Sequence, residues 1–230
     1  MDALGAWLAQ LEFGPLLDIL VVAAAALICI TFHEMCHGLA ALALGDPTAK
    51  RAGRLTLNPL KHVDLFGLLM LVTAKVGWAK PVPVDARRFK NPKAGMAIVS
   101  IAGPLSNVVL SAIAAVLYTV CMFYYLYLEL PVLDWFATFF YYVFYISVGL
   151  AVFNILPFPP LDGTKVLLAL LPQSWYWKLL RFERYGMFVL MGLTLTGMLD
   201  VPLNFLRGGL VDLLAPISGW VLELLTAIHS

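Results

Sequence analysis

His33 and His37 stand four residues apart in the run His33-Glu34-Met35-Cys36-His37. On an α-helix, positions i and i+4 share a face. Both imidazoles can therefore bind one metal ion, and Glu34, beside the first, can contact a water held there. That combination would hydrolyse a bond by activating water on zinc. A lone HExxH has many chance matches in soluble proteins, but this one lies within an apolar run and uses two of the chain's 4 histidines. Ionisable groups at such depth are costly and usually functional. The alternative is a pair of polar side chains bonding between helices. Cys36 points off the histidine face and is read as packing, and Cys29 and Cys121 are read as small buried residues.

Catalytic zinc usually takes three protein ligands and leaves a fourth position open. Asp18 is too distant to supply the third, roughly 22 Å back along the helix at 1.5 Å per residue. Glu129 and Asp134 fall at the opposite surface. Asp162 is the first candidate and Asp64 the second. Asp162 sits in Asn154-Ile155-Leu156-Pro157-Phe158-Pro159-Pro160-Leu161-Asp162-Gly163, where the prolines stop a helix and Gly163 is expected to permit a sharp exit. The competing reading of Asp162 is a helix N-cap.

The elements that must position these groups are apolar. Of 230 residues, 62% are hydrophobic and 13% charged, against roughly 25% charged in a soluble domain. The mean hydropathy is +0.89. A soluble fold of this length cannot hide so much apolar surface, which points to an all-α polytopic membrane protein. The net charge of +1 gives no case for nucleic acid. A crossing helix needs about 20 apolar residues. Leu16 to Leu44, Met96 to Leu128 and Trp135 to Leu156 qualify, Tyr185 to Leu199 is short, and Gly209 to Ile228 is borderline because of Asp212 and Glu223. Leu65 to Trp78 is read as a re-entrant or membrane-edge element, and Leu161 to Leu171 as a short helix. The expectation is about five or six such segments in one membrane-embedded unit over 1–230, with a core over about 16–171 and C-terminal helices over about 172–230. Trp175 and Trp177 are read as interfacial anchors.

Basic residues set the expected orientation. Lys50, Arg51, Arg54 and Lys61 follow the first span. Lys80, Arg87, Arg88, Lys90 and Lys93 precede the next, whereas the connection from Leu128 to Trp135 holds only Glu129 and Asp134. The N-terminus is therefore expected outside and the histidines toward the cytosol. Asp2 and Glu12, with no basic residue near them, give no positive region of a cleavable signal peptide.

These motifs resemble the site-2 protease family of intramembrane zinc proteases, and within it the compact members without PDZ or CBS domains. The resemblance rests on the HExxH, on Gly103-Pro104-Leu105-Ser106-Asn107, on the Asn154 to Gly163 run, on Asn58-Pro59-Leu60-Lys61-His62-Val63-Asp64 and on Gly77-Trp78-Ala79-Lys80-Pro81-Val82-Pro83-Val84. It covers roughly Leu20 to Leu171. It implies that His33, His37 and Asp162 bind one Zn2+ per chain and that Glu34 is the general base. It also implies that Asn107 helps hold the site or the scissile carbonyl; the alternative is an interhelical hydrogen bond. Asn154, Gly77 and Trp78 are implied on the substrate side, where the Gly77 to Val84 run would pair with an unwound substrate by strand addition. His62 either lines the water path or is a surface residue. The implied partners are a transmembrane protein or peptide substrate and the bilayer. The competing functions are a zinc transporter, which would need polar residues through both leaflets, and a catalytically silent scaffold.

Overall fold

The computed structural model describes residues 14–64, 67, 79–172 and 185–229. Gly77, Trp78, Trp175 and Trp177, and the Leu65 to Trp78 segment apart from Gly67, lie outside the described residues. The helices are α1 (Gly14–Ala43), α2 (Thr48–Arg51), α3 (Pro92–Leu128), α4 (Pro131–Ile155), α5 (Asp162–Leu170), α6 (Tyr185–Leu195) and α7 (Asp200–His229). Among the described residues the β content is one isolated antiparallel bridge between Val63 and Ala79. The chain is an all-α polytopic membrane protein, with α1, α3, α4 and α7 long and apolar enough to cross a bilayer.

Helix boundaries follow caps more closely than hydropathy. α3 starts at Pro92, earlier than the apolar run, because Asn91 accepts from Ala94 N at 3.2 Å and proline at the first helical position gives up no bond. α4 likewise starts on Pro131. The largest difference from the sequence expectation is α7, a continuous helix of 30 residues where hydropathy marks only Gly209 to Ile228. The stretch hydropathy leaves out carries Asp200, Asn204 and Arg207, which interrupt the apolar pattern without breaking the backbone ladder. At its far end His229 is packed among Phe123, Tyr124 and Tyr127 of α3, with ring centroids 5.3, 5.4 and 5.3 Å away.

The packing is inverted relative to a water-soluble bundle. Ile98, Ile101, Leu105, Val109 and Ile113 of α3 face outward, while Ser100, Gly103, Ser106, Asn107 and Ser111 are buried. Small and hydroxylated residues let membrane helices approach closely and bond across the contact. Ser147 of α4 donates to Cys29 Sγ of α1 at 3.2 Å. α3 is the central element and touches α1, α4, α5 and α7. The short α5 is brought back under it by the prolines at 157, 159 and 160. Gly163 is needed there for a reason other than the expected turn. Its φ is not positive; an added Cβ would lie 2.1 Å from the Ile155 carbonyl oxygen and 2.5 Å from that of Leu156. Glycine lets α5 start directly against the end of α4.

Candidate metal centre

Three buried or half-buried side chains from α1 and α5 converge. His33 Nε2 and His37 Nε2 each lie 3.1 Å from Asp162 Oδ2, and the two nitrogens are 3.0 Å apart. Tetrahedral zinc with bonds of 2.0–2.1 Å separates neighbouring donor atoms by roughly 3.3 Å. Two imidazole nitrogens and one carboxylate oxygen at nearly that spacing fit a zinc ion, with a fourth position left for water or substrate. Among the described residues this is the one cluster of three such side chains able to hold a metal. Asp162 is the first residue of α5, and its side chain does not cap the helix. Its carboxylate is half-buried, and Oδ2 faces both imidazole nitrogens. Asp64 accepts instead from Gly67 N at 2.8 Å.

One face of α3 organises both imidazoles. Val99, Gly103 and Asn107 recur at four-residue spacing, so they stack along one side of the helix. The Val99 carbonyl lies 2.7 Å from His37 Nδ1. It accepts the Nδ1 hydrogen, which leaves the Nε2 lone pair for a metal. Asn107, 0% exposed, places its amide nitrogen 3.0 Å from His33 Nδ1 and its Oδ1 without a hydrogen-bond partner. A half-turn of the amide, which exchanges oxygen and nitrogen in place, lets Oδ1 accept from His33 Nδ1–H and frees Nε2 in the same way. Gly103, between them, makes the room: a Cβ there would sit 2.4 Å from His37 Nε2 and 2.6 Å from His33 Nε2. Sequence reading singles out Asn107 but gives Gly103 no separate role, and it misses Val99, since any residue supplies a carbonyl.

Glu34 is half-buried, and its Oε2 accepts from Val82 N at 2.9 Å. Lys80 N donates to the His62 carbonyl at 2.9 Å. Pro81 and Pro83 have no N–H. From Lys80 to Pro83, then, no backbone donor is left for an incoming strand, which restricts the strand addition expected of this run. Asn154 donates to Leu150 O of its own helix at 3.0 Å. His62 is buried at 1% exposure, with Nε2 on Thr56 O at 3.0 Å, so it is not a surface residue. Cys36 is half-buried and free.

The profile of peptidase family M50 matches residues 21–196. A protein of Bacillus subtilis (strain 168), YwhC, named provisionally as a zinc metalloprotease, is 40% identical over 174 residues, covering 74% of this chain and 78% of the relative. Rip2 of Mycolicibacterium smegmatis, named in the same provisional terms, is 30% identical over 171 residues, covering 69% of this chain and 61% of the relative. No solved structure matches significantly. With its long apolar helices and a profile match spanning most of its length, the chain belongs to peptidase family M50, the site-2 protease family, and is a membrane zinc metalloprotease.

Proposed function

We propose that the chain hydrolyses peptide bonds of transmembrane or membrane-proximal protein segments, with His33, His37 and Asp162 holding one zinc ion and Glu34 as general base. The observation that carries this reading is the triangle of donor atoms at 3.0–3.1 Å, with Glu34 one residue from a ligand and half-exposed beside it. Zinc in such a site lowers the pKa of water to about 7 and polarises a carbonyl. Glu34 accepts a proton from the attacking water and delivers it to the leaving amine. Val99 and Asn107 fix the tautomers of the imidazoles. The substrate must unwind first, because a helix keeps its carbonyls in its own hydrogen bonds. Lys50, Arg51, Arg54 and Lys61 follow the histidine helix directly, which supports a site toward the cytosol.

The reading is tested by the zinc content of purified protein together with cleavage of single-span peptides in lipid vesicles. Asp162→Ala is expected to lose most of its zinc at metal concentrations that saturate the wild type, and to lose cleavage with it. Normal zinc affinity in that variant would remove Asp162 from the ligand set. Asn107→Ala is expected to retain the fold and to weaken zinc about 10- to 100-fold, the usual cost of losing the partner of a ligating histidine. A competition titration against a chelator measures this, and unchanged affinity would reduce Asn107 to helix packing.

A further inference from the structure

The run from Ala79 to Asp85 is held by the buried side chains of Arg54 and Asp46 and by the backbone carbonyl of buried His62, to which the proposed chemistry gives no role. Arg54, 6% exposed, donates to the Lys80 carbonyl. His62, 1% exposed, has its own carbonyl bonded by Lys80 N at 2.9 Å. Asp46, 0% exposed, accepts from Asp85 N at 2.7 Å and from Thr48 N at 3.0 Å. Buried polar groups are costly unless they are hydrogen-bonded, and part of the bonding of these three goes to this run. Between these anchors lies Val82, whose N–H meets Glu34 Oε2 at 2.9 Å. The prolines on either side leave it as the one N–H from 81 to 83. Its side chain sits against Gly38, one helical turn after Glu34: a Cβ on Gly38 would stand 3.3 Å from Val82 Cγ1 and 2.5 Å from Leu55 Cδ2. Glycine at 38 thus lets the run lie close to α1.

We infer that the Val82 backbone N–H is a positioning group for Glu34, and that Asp46, Arg54 and His62 serve to hold it there. A hydrogen bond to one carboxylate oxygen fixes the rotamer and leaves the other oxygen to take the proton. This rests on the reading of Glu34 as base. From Lys80 to Pro83 the run is then part of the catalytic apparatus and has no N–H left to offer a substrate.

The test replaces the Val82 amide by an ester, through incorporation of the α-hydroxy analogue of valine at codon 82 in the full chain. This deletes the N–H and keeps the side chain. The probe is the single-span peptide that the wild type cuts fastest from a pool in lipid vesicles. The expected result is a kcat about 10- to 100-fold lower, the scale of a small misplacement of a reacting group, with KM within about threefold and zinc content unchanged. A second readout needs neither metal nor substrate. Amide hydrogen exchange at Val82 in the zinc-free protein is expected to be about tenfold faster or more in Glu34→Ala, since protection scales with the opening equilibrium. Wild-type kcat in the ester protein, or equal exchange at Val82 in both proteins, would overturn the inference. If Glu34→Gln is inactive while the ester is fully active, only the positioning role fails. If Glu34→Gln is fully active, the assigned base and the positioning role fail together.

Discussion

Glu34→Gln is expected to keep its zinc and to lose cleavage by about a thousandfold or more, within the range that general bases supply. The substitution changes one atom of the carboxylate and removes its basicity. The glutamine carbonyl can still accept from Val82 N–H, which holds the wild-type carboxylate at 2.9 Å, so the side chain stays in place. The donors of His33, His37 and Asp162 are untouched. Metal content by mass spectrometry and kcat on a single-span peptide separate the two effects. Zinc lost along with activity would mean that Glu34 supports the ligands and is not the base. Activity retained would place the base elsewhere.

Gly103→Ala is expected to weaken zinc by about 100-fold or more, beyond the usual loss of an outer partner, and to abolish cleavage at ordinary zinc levels. The new Cβ would stand 2.4 Å from His37 Cε1 and Nε2 and 2.6 Å from His33 Nε2. These nitrogens are the proposed donor atoms. Neither ring can retreat easily, because Val99 and Asn107 on the same helix hold them from one turn to either side. Alanine is the better helix former by about 1 kcal/mol, so α3 itself is not weakened. Thermal unfolding of the zinc-free variant checks that the fold survives. A chelator titration matching the wild type would show that the rings can shift with the metal, and would remove Gly103 from the site.

The parts of this site that announce themselves in sequence are those where a side chain has one chemical use. A histidine pair at helical spacing inside an apolar run points to a metal ahead of interhelical hydrogen bonding, and excluding Asp18, Glu129 and Asp134 by position leaves Asp162 first and Asp64 second. The parts that do not announce themselves depend on backbone or on space. The Val99 carbonyl is a group every residue carries, and the Val82 N–H one that every residue but proline carries, so no residue type marks them. Gly103 matters for the atom it lacks, which is evident only once α3 lies against both rings. Gly163 reads as a turn residue, whereas the fold uses it for close approach to α4. His62 gives no sign of being buried, because its environment is built by Thr56 and Lys80 across a loop. The start of α7 is missed because hydropathy weighs Asp200, Asn204 and Arg207 as interruptions, although polar side chains leave the helical ladder intact.

The lack of spare amide hydrogens from Lys80 to Pro83 bears on how this enzyme could be blocked. A peptide-like compound laid along that backbone meets main-chain acceptors only, so carbonyls placed opposite it would be desolvated with no main-chain partner. Useful contacts there must come from donors on the compound. Masking those donors by N-methylation would cost affinity at this stretch even where shape is unchanged.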